Sequence, residues 1–286
     1  MRTSLSEIST VGASFAEDVA AYAAAGFDAI GIWEFKLPPG EDAANIELLR
    51  MHGLAAANCV PAIPSILQLA RPGMEGPADP GERIAALCAS VRRLAAFAPE
   101  SVVCLAGPLG GRTREEGVAV VRDGLRRIAT TAREVGVRIA FEPVHSSQRD
   151  STGFVCTLAE ADELLAAPGL EEVGVLFDTY HLADDPDCAA WLAANAATRV
   201  AGVHVSDHPG PGPGPGPGAP PGTPSPGTRV LPGEGVTPTA AAVRALVAGG
   251  WVGSLDVEIF STPEHFWALP VAEAARRAHA AVRALG

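Results

Sequence analysis

The sequence predicts an α/β fold, a (β/α)8 TIM barrel that forms a single domain over residues 1–286. Short apolar segments alternate with longer helical patterns eight times along the chain, which indicates a parallel sheet. Several of these segments are almost continuously apolar, as is typical of parallel strands buried on both faces. A length of 286 residues suits one such barrel. An open doubly wound sheet is the alternative, but its GxGxxG motif does not follow the first strand.

The predicted strands are rich in β-branched and apolar residues and are bounded by polar or turn-forming residues. We place them at Leu5–Thr10, Asp28–Glu34, Ala55–Val60, Ser101–Ala106, Arg138–Pro143, Val173–Asp178, Val200–Ser206 and Ser254–Phe260.

The helices between the strands carry start and stop signals. Capping boxes, in which a hydroxyl and a Glu three residues later satisfy free amides at a helix start, are predicted at Ser14–Glu17, Thr113–Glu116 and Thr157–Glu160. Glycines that favour helix termination follow three helical segments, at Gly26, Gly53 and Gly136.

One low-complexity segment interrupts the alternation. Residues 209–227 read PGPGPGPGPGAPPGTPSPG, a composition that forms neither a helix nor a paired strand. The segment follows the seventh strand, on the face where barrel enzymes carry their active sites. It is either a lid or a tolerated insertion, and we favour the insertion because it offers no side chain for chemistry.

Charge and composition restrict the function classes. The net charge is −12 and no basic cluster is present, which argues against a nucleic-acid partner. No apolar run is long enough for a membrane span or resembles a signal peptide. Five cysteines without CxxC spacing are typical of reduced thiols. We expect a cytoplasmic protein with a small-molecule substrate, and the oligomeric state stays open between monomer and homo-oligomer.

Polar residues end four consecutive strands, at Glu142 in IAFEP, Asp178 in VLFDTYH, His204 in GVHVSD and Glu258 in LDVEIF. A charged side chain at the end of a buried strand is costly unless it is paired or coordinated. Strands of one barrel bring such residues together at one end. Three carboxylates and one imidazole form a site that suits Mn²⁺, Mg²⁺ or Co²⁺, with Zn²⁺ also compatible.

Two histidines follow these positions by three residues. We expect His181 to face the same pocket and contact a substrate hydroxyl, the alternative being a histidine that merely begins a helix. His145 is equally compatible with a substrate contact or acid/base role and with a loop residue packed against Arg149.

Two further residues are candidate substrate contacts. Arg229, before LPGEG, could stabilise a developing negative charge, the alternative being a surface arginine. Glu34, at the end of the second strand, could bind substrate or simply pair with Lys36.

In order, these motifs resemble the xylose-isomerase-like TIM-barrel family of sugar isomerases and epimerases. FEPVH, VGVLFDTYHL, VAGVHVSD and RVLPGEGV followed by GGWVGSLDVEIFS are similar to its strand-five to strand-eight segments. The last is similar to inosose (2-keto-myo-inositol) isomerases and hydroxypyruvate isomerases. The resemblance implies that Glu142, Asp178, His204 and Glu258 hold the metal, and that His181 and Arg229 contact substrate.

The resemblance further implies a proton transfer between adjacent carbons through a cis-enediolate, with Glu142 and Glu258 on opposite sides of the substrate. Isomerisation and epimerisation both remain open. A dehydratase of a cyclic keto-acid such as 3-dehydroshikimate, with His145 or His181 as base, is the nearest alternative. A non-catalytic sugar-binding protein is another. A repair endonuclease is disfavoured because strands three and four end in Asn58–Cys59 and Ala106–Gly107 without the histidines of a three-metal site.

Overall fold

A computed structural model describes residues 1–210 and 229–285. Eight parallel strands form a closed barrel in which each strand pairs with its neighbours in chain order and the last pairs with the first, confirming the predicted fold. The strands are β1 (Arg2–Ser6), β2 (Ala29–Trp33), β3 (Ala55–Val60), β4 (Ser101–Leu105), β5 (Ile139–Glu142), β6 (Gly174–Asp178), β7 (Val200–Val205) and β8 (Ser254–Val257).

The helices of the described residues surround this barrel. They are α1 (Phe15–Ala25), α2 (Asp42–His52), α3 (Pro80–Leu94), α4 (Arg114–Val135), α5 (Leu158–Leu165), α6 (Thr179–Leu182), α7 (Cys188–Asn195), α8 (Thr239–Ala248) and α9 (Val271–Arg283). None of them is long and apolar enough to span a membrane. The main apolar core lies between the helices and the outer face of the barrel.

The first strand differs from its predicted position. It covers Arg2–Ser6 rather than Leu5–Thr10, because its early residues pair with β8 and close the barrel. Residues Glu7–Thr10 form a short 3-10 helix instead. The carboxylate of Glu7, fully buried there, accepts a hydrogen bond from the backbone N–H of Trp33 at 2.9 Å. That turn therefore fixes the end of β2.

The predicted helix signals are present with one difference. The three glycines adopt left-handed conformations at the ends of α1, α2 and α4. Reciprocal capping boxes form at Ser14 and Thr113. At Thr157 only half of the box forms, because Glu160 accepts instead from the backbone N–H of Cys156 at 2.6 Å.

The two ends of the Pro/Gly-rich segment are held together at the barrel rim. Asp207 and Val230 exchange two backbone hydrogen bonds of 2.9 Å, forming an antiparallel bridge directly after β7. Of the predicted loop 209–227, only Pro209 and Gly210 belong to the described residues, so its role stays a prediction. Because Arg229 directly precedes Val230, this bridge holds Arg229 near the end of β7 at the barrel rim.

Candidate metal centre

The four strand-end residues converge at the carboxyl-terminal end of the barrel. Glu142 and Asp178 are the last residues of β5 and β6, His204 is the penultimate residue of β7, and Glu258 directly follows β8. Each offers one ligand atom, and these atoms lie within 4.8 Å of one another. All four residues are buried, with exposed fractions between 0% and 9%. The neighbouring strands thus assemble the group that their positions in the sequence predict.

His204 has the properties of a metal ligand. Both of its ring nitrogens are buried and lack a hydrogen-bond partner among the described residues. Nδ1 lies 3.5 Å from Oε2 of Glu258, on the side of the carboxylates. Burial lowers the pKa of His204 to about 4, so its imidazole is neutral at physiological pH and keeps a lone pair for coordination. A divalent ion would supply the partner that this ring lacks.

The carboxylates need a compensating positive charge. Burial, together with Glu258 and Asp178, raises the pKa of Glu142 well above its usual range. Burial also raises the pKa of Glu258 to about 7, although Arg229 opposes this shift. Clustered, desolvated carboxylates destabilise one another when ionised. A site of three carboxylates and one imidazole therefore fits a divalent cation, and the donor set does not distinguish Mn²⁺ from Mg²⁺, Co²⁺ or Zn²⁺.

Arg229 lies directly against the cluster. Its Nη1 donates hydrogen bonds to Asp178 at 2.8 Å and to Glu258 at 2.9 Å. The guanidinium stacks over the rings of Tyr180 and Phe260, at 4.5 Å and 5.1 Å from their centroids. Burial alone would lower the pKa of Arg229, but the two carboxylates outweigh burial and raise it. This arginine therefore stays charged at every accessible pH.

The surroundings of His181 determine its tautomer. Its Nδ1 accepts a hydrogen bond from the backbone N–H of His145 at 3.0 Å, so the neutral ring carries its proton on Nε2. Burial holds the pKa of His181 well below its usual range, which keeps the ring neutral. Nε2 lies 3.9 Å from Oε1 of Glu142 and 3.2 Å from Nη2 of Arg229. Two donors therefore converge beside the carboxylate cluster.

The structure does not bring the side chains of His145 and Glu34 to this site. The ring of His145 caps a short 3-10 helix by accepting from the backbone N–H of Ser147 at 3.2 Å, and it lies outside the cavity. Glu34 follows the inward-facing Trp33, so strand alternation directs it outward. It accepts from the backbone N–H of Ala62 at 2.9 Å and lies 3.5 Å from Arg93. The alternative that Glu34 pairs with Lys36 is wrong, because Lys36 pairs with Asp18.

A cavity opens from the cluster towards solvent. It holds about 540 Å³ of empty space, counting its open mouth. Its polar lining includes Glu142, Glu258, His181 and Arg229, and its apolar lining includes Trp33 and Phe260. Trp33 is fixed by a 2.8 Å hydrogen bond from its indole N–H to Ser6. The dimensions suit a small polar molecule with an apolar face.

Sequence reasoning did not identify Asp256, which lies beneath the cluster inside the barrel. It is fully buried, and its Oδ2 lies 3.7 Å from Nε2 of His204, while its Oδ1 lacks a partner among the described residues. Asn58 donates to Oδ2 at 3.4 Å. A β-carbon at Gly31 would clash with this carboxyl group, so glycine makes room for it. The alternation Asp256-x-Glu258, which places both side chains on one strand face, was the available signal.

Asp256 is positioned to orient His204, and its substitution is therefore expected to weaken metal binding. A ligating histidine usually donates its second N–H to a carboxylate, which fixes the tautomer. An Nε2–H donated to Asp256, whose Oδ2 lies 3.7 Å away, would leave Nδ1 free to coordinate. We expect Asp256→Ala to weaken metal affinity by about 10- to 100-fold, and Asp256→Asn, which keeps an acceptor oxygen, to lose less.

The measurement is a metal titration by calorimetry together with ¹⁵N NMR of the His204 ring. The expected signature is an Nε2–H tautomer in the wild-type protein and in Asp256→Asn, and a tautomer mixture in Asp256→Ala. Equal loss of affinity in both variants with an unchanged His204 tautomer would assign Asp256 a structural role only.

Metal affinity should fall as the pH decreases through neutrality. Without metal, Glu258 takes up a proton below a pKa of about 7, and the pKa of Glu142 is raised as well. Binding must release these protons, so affinity falls about tenfold per pH unit for each proton released. His204 does not contribute between pH 6 and 8, because its pKa is about 4. Calorimetry in buffers of different ionisation enthalpy counts the protons, and an affinity independent of pH over this interval would contradict the prediction.

Comparison with known proteins confirms the family. Residues 19–285 match the family described as xylose isomerase-like TIM barrel. The chain belongs to that family. No curated protein matches the sequence.

Solved structures share the fold of this xylose isomerase-like chain at low sequence identity. The protein SMc04130 from Sinorhizobium meliloti 1021 superposes with a TM-score of 0.81 at 23% identity, covering 99% of this chain and 98% of that one. The IolI protein, solved with a bound zinc atom, has a TM-score of 0.77 at 21% identity, with coverage of 100% and 98%. D-allulose 3-epimerase from Methylomonas sp. has a TM-score of 0.73 at 19% identity, with coverage of 100% and 98%.

Proposed function

We propose that this chain is a divalent-metal-dependent isomerase or epimerase of a small sugar, inosose or hydroxy-keto compound. The buried cluster of Glu142, Asp178, His204 and Glu258 at the barrel mouth carries the proposal. A neutral imidazole without a hydrogen-bond partner, beside carboxylates of raised pKa, supports a role for these residues as ligands of a divalent cation. The zinc-containing IolI protein and the epimerase of the same fold support this chemistry by analogy.

The metal, when bound, would polarise a substrate carbonyl and so acidify the adjacent C–H bond. We expect Mn²⁺, with Mg²⁺, Co²⁺ and Zn²⁺ as alternatives. Asp178 and His204 would serve only as ligands.

Glu142 and Glu258 would move the proton. They lie on β5 and at the end of β8, and both line the cavity. One carboxylate would take the proton from one carbon, and the other, already protonated, would donate its own proton to the adjacent carbon or to the opposite face of the same carbon. Exchange with solvent would then restore both groups.

His181 and Arg229 would bind the substrate oxygens. The Nε2–H of His181 and the Nη2 of Arg229 point to the same region, 3.2 Å apart, and both only donate in the assigned tautomer. A substrate oxygen that accepts from both would satisfy them. Negative charge that develops on this oxygen during proton abstraction would strengthen both hydrogen bonds.

The test is solvent deuterium exchange into a panel of ketoses, inososes and hydroxy-keto acids, followed by mass spectrometry. The apoprotein, prepared with a chelator, is compared with protein reloaded with each of the four metals. Metal-dependent deuterium incorporation at the carbon beside the carbonyl supports the proposal. Formation of an aromatic chromophore from 3-dehydroshikimate without exchange would favour the dehydratase. Stoichiometric sugar binding without exchange would favour the non-catalytic alternative.

A further inference from the structure

A second arginine lies in the cavity without a carboxylate partner. Arg71, in the segment between β3 and α3, lines the cavity together with Glu142 and Glu258. Its guanidinium carbon lies 5.5 Å from the centroid of the Phe260 ring. Within residues 1–210 and 229–285, no carboxylate lies within 4.0 Å of its nitrogen atoms. Arg229 differs sharply, since it contacts two carboxylates.

The environment of Arg71 is costly for a charge that has no partner. The side chain is half-buried, and desolvation lowers its pKa from the usual arginine value. The guanidinium lies over the ring of Phe260, an attraction that does not neutralise its charge. A long cationic side chain that served only the surface would direct its charge into water. Here the charge is instead held over the cavity.

The other charges in the cavity leave the positive charge of Arg71 uncompensated. The three carboxylates of Glu142, Asp178 and Glu258 would be balanced by one bound divalent cation together with the guanidinium of Arg229. The guanidinium of Arg71 adds one uncompensated positive charge. A single negative charge on the substrate would neutralise it. A carboxylate carries one negative charge at pH 7. A phosphate monoester carries about 1.5 to 2 negative charges and would therefore exceed the charge of Arg71.

We propose that Arg71 forms a carboxylate subsite and that the substrate is therefore a small hydroxy-keto acid rather than a neutral sugar. The inference rests on the proposed function, which supplies the metal and the proton transfer. The planar guanidinium binds a carboxylate through two parallel hydrogen bonds, which lysine does not reproduce. Arg71 thereby sets the distance between the carboxylate of the substrate and the reacting carbons near Glu142 and Glu258.

The test compares two probes that differ only in the group expected at Arg71. Hydroxypyruvate carries a carboxylate where dihydroxyacetone carries a hydroxymethyl group, and both have an exchangeable hydrogen beside the ketone. We expect Arg71→Met to lower kcat/KM for deuterium exchange into hydroxypyruvate by about 10- to 100-fold, as for loss of a hydrogen bond between charged groups. Exchange into dihydroxyacetone should fall much less than exchange into hydroxypyruvate, and Arg71→Lys should recover only part of the loss. Metal content and melting temperature serve as controls.

Equilibrium binding separates failure of the subsite from failure of the proposed function. Glycolate and its neutral counterpart ethylene glycol are titrated into the metal-loaded wild-type protein and Arg71→Met. A loss of glycolate affinity of about 10- to 100-fold in the variant supports the subsite even when no probe is turned over. Equal glycolate affinity in the two proteins overturns it. Equal reduction of exchange into both ketones also overturns it, while leaving the isomerase or epimerase proposal intact.

Discussion

Replacing either Glu142 or Glu258 by glutamine is expected to reduce incorporation of solvent hydrogen into the isomerised or epimerised product by about 100- to 10,000-fold, the range typical of lost general acid–base catalysis. Glutamine keeps the shape and one oxygen of the side chain but cannot take up a proton. If the two carboxylates act on opposite sides of the substrate, neither can replace the other. Deuterium incorporation measured at saturating metal and substrate reports this step directly.

The controls for these variants distinguish lost proton transfer from lost metal. Each variant is assayed for metal content, because both glutamates are also proposed ligands. Glu100→Gln is the matched control: Glu100 accepts from the backbone N–H of Ser254 at 2.9 Å, at the amino-terminal end of β8, opposite the cavity. It should retain full exchange. Wild-type conversion to the isomerised or epimerised product in either Glu142→Gln or Glu258→Gln would refute a shuttle between two glutamates.

The convergence of the four strand-end residues was predictable because it depends on local patterns. Parallel strands that are buried on both faces must be apolar, so a carboxylate or an imidazole at their ends is conspicuous in the sequence. Once eight strands are counted, closure brings the ends of β5 to β8 together. The position of His181 near the cluster could be predicted for the same reason, since His181 follows Asp178 by three residues on a short helix.

Other parts of the site depend on contacts that the sequence does not display. Arg71 lies far along the chain from Phe260, and only the folded barrel stacks the two side chains. Whether the ring of His145 or its backbone faces the cavity depends on the turn that follows β5. Glu34 looked equivalent to the other strand-end carboxylates, but a strand that ends at Trp33 directs the next side chain outward.

The positive charges that neutralise the carboxylate cluster, from Arg229 and from a bound metal ion, should contribute to the stability of the protein. Arg229 is buried and bonds through one nitrogen atom to Asp178 and Glu258. Removing one partner of a buried ion pair leaves uncompensated charge and costs about 3–5 kcal/mol. We therefore expect Arg229→Gln to lower the free energy of unfolding by that amount when a chelator is present. A bound divalent ion would compensate the same two carboxylates, so saturating Mn²⁺ should restore much of the loss.

Urea unfolding of the wild-type protein and Arg229→Gln, with chelator and with Mn²⁺, measures this coupling. Arg199→Gln provides the matched control, because Arg199 pairs with Asp162 at 3.0 Å with both side chains about one-third exposed. Partly exposed pairs contribute about 1 kcal/mol or less, and no dependence on metal is expected. If Arg229→Gln were equally destabilised with and without Mn²⁺, the guanidinium and the metal would not share these carboxylates. A loss that Mn²⁺ reverses would instead mean that the cluster requires a cation for folding as well as for chemistry, with Arg229 supplying part of that charge when no metal is bound.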